Sequence, residues 1–439
     1  MRQFEGAWSS DNSIEAGKIR LERLGYFKEV SVETIPVPGT DDQIDVIYSV
    51  EEETTGSLGG NIGYSDFGLM LGFNLQEQNF LGTGNTVGIG INKSIYSEVY
   101  NISFLNPYAT KDAVSLGYNL YFRETDYGEF NVANYLTNSM GFGAQFGYPI
   151  SDTRRLSFSI TYDKTDIDIG SLPAREIYDF VATEGNIFET LSAGLSWQSV
   201  TLNRGLFPTD GASTVVGLST TVPGSDLSYY RLNLRQRFYQ PLSSSLIFGF
   251  QGELGYLSAY GETEVTPFFQ NFYAGGPRSL RGFESNTLGP RSTDAPCYEF
   301  NYEEGTCPNL VDTDGDGEFD APFYNPYANN TSRYRDAPIG GNIKVEGSLQ
   351  LIFKLPFIED QRSMRSAFFF DFGNVFSDNC KDYQINCYKP SIDDLRYSYG
   401  VGVTWITGFG PMSFAISKPT NAGPQERTEE FQFTVGNVF

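Results

Sequence analysis

The feature that most constrains the fold is a two-residue alternation of apolar and polar side chains, repeated from about residue 54 to the C-terminus. The segment "DAVSLGYNLYFRE" is typical, because Leu116, Leu120 and Phe122 share one face while Asn119 and Arg123 share the other. A period of two indicates β-strands with two different faces. About 16 such strands are predicted, centred near Asn61, Asn74, Ile89, Ile102, Asn119, Phe142, Phe158, Leu195, Val216, Leu234, Phe250, Leu349, Phe370, Val403, Phe414 and Val435.

The strands fit a membrane barrel better than a soluble sandwich. They are long, they carry aromatic residues near their ends, and their polar faces hold many Gly, Ser and Arg residues. The mean hydropathy is only −0.30 and no run of 18 apolar residues exists, which excludes membrane-spanning helices. A strand with lipid on one side and a water-filled lumen on the other has this composition. The predicted fold is all-β, a transmembrane antiparallel β-barrel over residues 54–439.

The first 53 residues have a different pattern. Ser10, Asp11 and Asn12 are candidate caps of a helix that Gly25 ends, and two alternating segments follow. One helix and two strands have little core of their own. We therefore predict a partial α+β domain over residues 1–53.

Charge and composition exclude several functions. The chain has 30 basic and 54 acidic residues, a net charge of −24, which argues against nucleic-acid binding. It contains no histidine, so Ser-His-Asp triads, Cys-His pairs and His-based zinc sites are impossible. No paired-carboxylate motif stands out either. We expect a protein that is not an enzyme and requires no cofactor.

The longest break between strand patterns runs from about residue 259 to 342, which is long enough to suggest a function. Four cysteines allow three pairings, and local pairing closes the shortest loops. It would join Cys297 to Cys307 and Cys380 to Cys387. The acidic run within the break has the spacing of a calcium loop without its twelfth ligand, and a solvated acidic loop is the alternative. The candidate calcium ligands are Asp312, Asp314, Asp316, Glu318 and Asp320.

Several motifs resemble the BamA family of POTRA-plus-barrel proteins. They are "EQNFLGTGN", "LNRGLFPTDGA", "NFYAGGPRSLRGFESNTLGP" and the ending "EEFQFTVGNVF". The resemblance implies that residues 1–53 are the C-terminal half of the last POTRA domain, in the periplasm, and that the barrel lies in the outer membrane of a Gram-negative bacterium. It also implies an assembly factor whose partners are unfolded outer-membrane protein clients, accessory lipoproteins, outer-membrane lipid and lipopolysaccharide.

The same resemblance implies a lumen anchor in the long loop. In the family this loop folds back into the barrel, so Arg281, Gly282 and Phe283 would face the inner wall. Strand alternation in "FFFDFGN" puts Asp371 on that wall, where it would pair with Arg281. Gln350 stands where we expect an acidic residue in close relatives, which leaves more of this role to Asp371.

The resemblance further implies a lateral gate between the first and last strands. Glycine weakens strands and permits bends, and a weak seam could open to accept a client strand by β-augmentation. Barrels also use glycine simply for curvature, which is an equal alternative. The candidate gate residues are Gly56, Gly59, Gly60, Gly63, Phe431, Phe433, Val435, Gly436 and Phe439.

Two other functions stay open from sequence. A TamA-like barrel or a two-partner-secretion pore would share the superfamily, and a passive porin would share the barrel. A porin would have neither a POTRA remnant nor an Arg-Gly-Phe loop inside the lumen.

Overall fold

The computed structural model describes residues 3–22, 26–52, 55–110, 112–130, 132–169, 173–293, 337–355, 363–382, 384, 387–408 and 410–436. It begins with a helix, α1 (Asp11–Glu22), and an antiparallel pair, β1 (Phe27–Pro36) and β2 (Ile44–Glu52). Ile14 of the helix and Val30 of the sheet are buried, and the Tyr48 hydroxyl donates to the Ile14 carbonyl at 3.1 Å. This is the α+β unit expected at the N-terminus.

A closed antiparallel barrel follows, with sixteen strands in the described part of the chain. Each strand pairs with its neighbours in sequence, and the last strand returns to the first. The strands are β3 (Gly56–Ser65), β4 (Gly68–Glu77), β5 (Thr86–Lys93), β6 (Ser97–Asn106), β7 (Ser115–Asp126), β8 (Leu136–Pro149), β9 (Arg154–Asp168), β10 (Ile187–Val200), β11 (Gly211–Thr221), β12 (Tyr229–Pro241), β13 (Leu246–Ala259), β14 (Ile343–Phe353), β15 (Met364–Phe376), β16 (Arg396–Thr407), β17 (Gly410–Thr420) and β18 (Phe431–Val435).

The predicted fold class is confirmed, and every predicted strand centre lies within a strand. The two faces separate as the alternation requires. On β15, Phe368 and Phe370 are 53% and 40% exposed toward the outside, while Phe369 and Asp371 are buried toward the lumen. Each strand of the closed sheet has a neighbouring strand on both sides, as a β-structure that crosses a hydrocarbon layer requires.

The two ends of the barrel differ. One end has short turns and carries the N-terminal unit, whose Tyr26 hydroxyl donates to the Gly84 carbonyl at 3.0 Å. The other end has the long connections, including the one between Ala259 and Ile343. The described helices include none that is long and apolar enough to cross a membrane.

A second helix, α2 (Arg175–Glu184), lies in the connection between β9 and β10 and was not predicted. Its buried residues Ile177 and Phe180 join an aromatic cluster at the long-loop end, which includes Tyr135, Phe188 and Phe268. The helix α2 and this cluster together form what we call the cap of the barrel. The long loop supplies Phe268 to the cluster, so the loop packs against the cap.

Candidate functional site: the lumen loop and the barrel seam

The described parts of the long loop, residues 260–293 and 337–342, pack against the inner wall of the barrel. Leu280, Phe283 and Leu288 are fully buried with Val375 of β15 and Leu257 of β13. An antiparallel bridge between Phe272 and Gly341 draws the two described ends of the loop together. The loop is therefore a folded element of the lumen.

Arg281 and Asp371 meet in this interior. The Arg281 Nε and Nη2 atoms each donate to one carboxylate oxygen of Asp371 at 2.7 Å, and the Arg281 backbone N–H donates to Oδ2 at 3.2 Å. The Arg281 Nη2 atom also donates to the Ser348 hydroxyl at 3.0 Å. The guanidinium carbon lies 3.4 Å from the centre of the Phe369 ring. A bidentate pair over an aromatic face fixes both position and orientation.

Two of these partners were missed from sequence. Ser348 faces Asp371 directly across the β14–β15 ladder. Gln350 donates to the Ser348 hydroxyl at 3.3 Å, so it supports the site through Ser348. Phe369 shares the lumen face of Asp371. Strand alternation predicts which residues of β15 face the lumen. The register between β14 and β15 decides which of them contact each other.

Gly282 occupies a position that a side chain would strain. Its φ is +91°, in the left-handed region that favours glycine. A Cβ atom there would lie 3.1 Å from the Ser417 hydroxyl and 3.3 Å from the Ser398 Cβ atom. The glycine thus lets the loop backbone approach β16 and β17, while the following Phe283 forms an isolated bridge with Thr428.

The described part of the seam between β3 and β18 is short. Within the described part of the chain, which ends at residue 436, Val435 and Tyr64 are its one register pair. By contrast, β3 pairs with β4 over its whole length, from Gly56 with Glu77 to Ser65 with Gly68. Gly436 then turns with φ of +73°, and a Cβ atom there would lie 2.1 Å from the Ile62 carbonyl oxygen. The last strand therefore bends where it meets the first.

The described candidate gate residues lie on the two strands of the seam, but most of them pair with the strand on the other side. Gly56, Gly59, Gly60 and Gly63 all lie on β3 in its pairing with β4. Phe431 and Phe433 lie on β18 opposite Ile416 and Phe414 of β17. Phe439 lies outside the described residues.

A second buried ion pair lies at the long-loop end, and sequence reasoning missed it. The Arg396 Nε atom donates to Glu426 Oε2 at 2.6 Å, and both side chains are almost fully buried. The same oxygen accepts from the Gly423 backbone N–H at 2.6 Å. This pair fastens the connection between β17 and β18 to the start of β16, next to the segment that bridges to Phe283.

Comparison with known proteins places this barrel in a family. The family model of the Omp85 superfamily domain matches residues 79–439. The chain belongs to the Omp85 superfamily. The family, the closed barrel and the bacterial relative described next indicate a β-barrel protein of a Gram-negative outer membrane.

Relatives of this Omp85 barrel include an outer membrane protein assembly factor BamA from Neisseria meningitidis, 30% identical over 100% of this chain and 54% of that protein. A mouse sorting and assembly machinery component 50 homolog is 24% identical over 89% of this chain and 74% of its own length. This chain thus spans about half the length of the BamA relative.

Solved structures have the same fold as this chain. The crystal structure of BamA from Haemophilus ducreyi lacking POTRA domains 1-3 has a TM-score of 0.81 and 30% identity, covering 100% of this chain and 80% of that one. CdiB from Escherichia coli has a TM-score of 0.55 and 12% identity, covering 98% of this chain and 71% of that one, and shows the fold alone. The resemblance to the BamA family is confirmed.

The remaining predicted sites of this Omp85 chain lie in its long connections. Cys380 and Cys387 form a disulfide between β15 and β16. Cys297 and Cys307 lie outside the described residues, as do the candidate calcium ligands Asp312, Asp314, Asp316, Glu318 and Asp320. No cluster of metal-binding side chains occurs among the residues that the structure describes. The calcium site stays a prediction.

Glu176 of α2 links three of these connections. Its carboxylate accepts the Thr293 backbone N–H at 3.0 Å and the Gln384 amide at 3.1 Å. Burial raises the pKa of Glu176, because the charged form loses its hydration. The helix, the long loop and the disulfide-closed connection therefore meet at one carboxylate.

Proposed function

We propose that this chain is the barrel part of an outer-membrane assembly factor that folds and inserts other β-barrel proteins. Residues 1–53 would be the C-terminal half of a periplasmic POTRA domain. The named functions of the N. meningitidis and mouse relatives support this role. The partners would be unfolded outer-membrane protein clients, accessory lipoproteins of the assembly complex, outer-membrane lipid and lipopolysaccharide.

The observation that carries the proposal is the contrast between the two edges of β3. One edge pairs over ten positions with β4, and the other pairs with β18 only through Tyr64 and Val435 within the described residues. An unpaired backbone group in hydrocarbon costs several kcal/mol. The described part of the seam has far fewer ladder pairs than β3 has with β4, so it costs less to separate, and a separated edge offers hydrogen-bonding groups to an incoming strand.

The mechanism would then be templated strand addition. The exposed edge of β3 accepts a client strand by β-augmentation, and the client barrel grows from this strand into the membrane. Each client hydrogen bond replaces one that the edge lacks, so the exchange needs no nucleotide and no catalytic side chain. The lateral gate consists of β3 and β18, with Gly436 allowing the bend between them.

Reconstitution of the full-length protein in liposomes tests the function. The expected result is that it folds an unfolded client barrel faster than liposomes alone or liposomes with a heat-inactivated sample. Single-channel recording in parallel tests the porin alternative, since the folded lumen loop should prevent a steady large conductance. A steady open pore without client folding would favour the porin. Export of a soluble passenger without client folding would favour a secretion pore.

A further inference from the structure

The side chain of Gln432 joins the last strand to the lumen loop. Gln432 is only 2% exposed and lies on β18, one residue after Phe431. Its Nε2 atom donates to the Phe283 carbonyl at 2.8 Å, and its Oε1 atom accepts the Gly282 backbone N–H at 3.2 Å. One amide thus satisfies a donor and an acceptor on adjacent residues of the loop, as the peptide group of a neighbouring strand would.

Backbone hydrogen bonds extend this contact away from the seam. The Glu284 N–H donates to the Arg427 carbonyl at 3.0 Å, and the Glu429 N–H donates to the Gly282 carbonyl at 2.9 Å. The Arg427 N–H donates to the Thr287 hydroxyl at 2.9 Å. The loop therefore runs beside the segment 427–432 much as a short strand would.

Among the described residues, β18 is paired along its whole length on one side only. Its pairing with β17 covers Phe431 to Val435, while β3 contributes one described pair. The loop end of the contact is anchored to the wall, because Arg281, next to Gly282, is bonded to Asp371. Gln432 therefore connects β18 to the β15 wall through Arg281 and Asp371.

We propose that Gln432 is a positioning residue of the assembly reaction: it holds β18 on the lumen loop, so that the seam opens on the β3 side while β18 keeps its place. This inference rests on the proposed function. A last strand tethered from inside leaves β3 as the free template edge and keeps β17–β18 from fraying into the membrane. The loop then acts on client insertion through β18, without touching the client.

The test replaces Gln432 by methionine, which has similar length but lacks both amide groups. Gln251→Met is the matched control, because Gln251 also faces the lumen but donates to the Tyr239 hydroxyl instead of the loop. Hydrogen exchange on the full-length protein should show Gly282 and Glu429 exchanging about tenfold faster in Q432M, and unchanged in Q251M. Unchanged exchange in Q432M would overturn the proposal.

The functional arm uses client folding in liposomes. Q432M should fold clients several-fold more slowly than wild type, and Q251M at the wild-type rate. A disulfide between Glu284→Cys and Arg427→Cys, whose side chains form an ion pair at 2.9 Å, should restore the rate of Q432M by replacing the lost tether. A merely structural defect would not respond to this crosslink.

The outcomes separate the two proposals. If the wild-type protein folds no clients, the proposed function is refuted. The exchange result then decides only whether Gln432 holds β18 on the loop. Active wild type, with fast exchange but normal client folding in Q432M, overturns the positioning role. Slow client folding that the crosslink fails to restore also overturns it.

Discussion

Arg281 and Asp371 lie 90 positions apart in the sequence and form a two-point ion pair inside the barrel, with both donor–acceptor distances at 2.7 Å. Asp371 is completely buried, and the Arg281 side chain is 17% exposed. Removing one partner of such a pair leaves a buried charge without compensation, at a cost of about 3–5 kcal/mol. The pair therefore decides whether the loop stays folded against β15.

Arg281→Ala should release the loop and lower client assembly. Limited proteolysis should cut the 260–293 segment at least tenfold faster in the variant, because the uncompensated Asp371 favours an opened loop. Arg235→Ala is the control, since Arg235 forms a solvent-exposed pair with Glu253 at 3.5 Å, of the kind that contributes about 1 kcal/mol or less. Equal proteolysis of R281A and wild type, with equal activity, would refute the anchoring role.

Gly282→Ala should weaken the same site through the backbone. The variant places a Cβ atom at φ of +91° and against Ser398 and Ser417, so a loss of more than about 1 kcal/mol is expected. Gly224→Ala is a matched control: its φ is +96°, but no atom lies within 4 Å of the added carbon. Thermal unfolding of both variants in detergent separates the two effects. If G282A loses no more stability than G224A, close packing at Gly282 contributes nothing.

Glu176 should make the cap of the barrel sensitive to pH. Burial raises its pKa above the ordinary 4.5, so the folded cap favours the protonated form. The stabilisation is fully present below the unfolded pKa and is lost as pH rises through the raised folded pKa. Protection of the backbone amides of α2, corrected for intrinsic exchange, should therefore fall in wild type as pH rises from below 4.5 through the raised folded pKa. Glu176→Gln mimics the protonated form and should show no such fall; a fall of the same size would exclude Glu176 as the cause.

The cysteines should form two local disulfides. Cys380–Cys387 is present in the structure, and Cys297–Cys307 is the predicted partner pair. Peptide mapping without reduction should recover two crosslinked peptides, one from each connection. A peptide joining Cys297 or Cys307 to another part of the chain would contradict local pairing.

The sequence was a good guide wherever structure repeats locally. Alternation located strands as far apart as the one around Asn61 and the one around Val403, because lipid and lumen impose opposite chemistry on successive residues. It missed α2, although Ile177, Phe180 and Val181 have helical spacing, since a short helix between strands disturbs a period of two only briefly. The Arg281–Asp371 contact was predicted through a family resemblance. Contacts such as Arg396 with Glu426, or Gln432 with Phe283, depend on long-range register that no local pattern records.

The seam provides the most direct test of lateral opening. Tyr64 and Val435 are register partners, so their Cβ atoms lie at the separation that antiparallel pairs have, about 4.5–5.5 Å. Tyr64→Cys with Val435→Cys should form a disulfide on oxidation. If clients enter between β3 and β18, the oxidised protein should lose at least tenfold in client folding, and reduction should restore it.

The control for this experiment is a crosslink in a continuous part of the wall. Val403→Cys with Phe414→Cys joins register partners of β16 and β17, where the ladder runs from Tyr397 to Thr407. This crosslink should leave client folding unchanged, and its reduced form accounts for any effect of reducing the native Cys380–Cys387 disulfide. A seam that folds clients at the normal rate while fully crosslinked would show that clients enter elsewhere, because a covalent bond between β3 and β18 leaves no edge for a client strand to join.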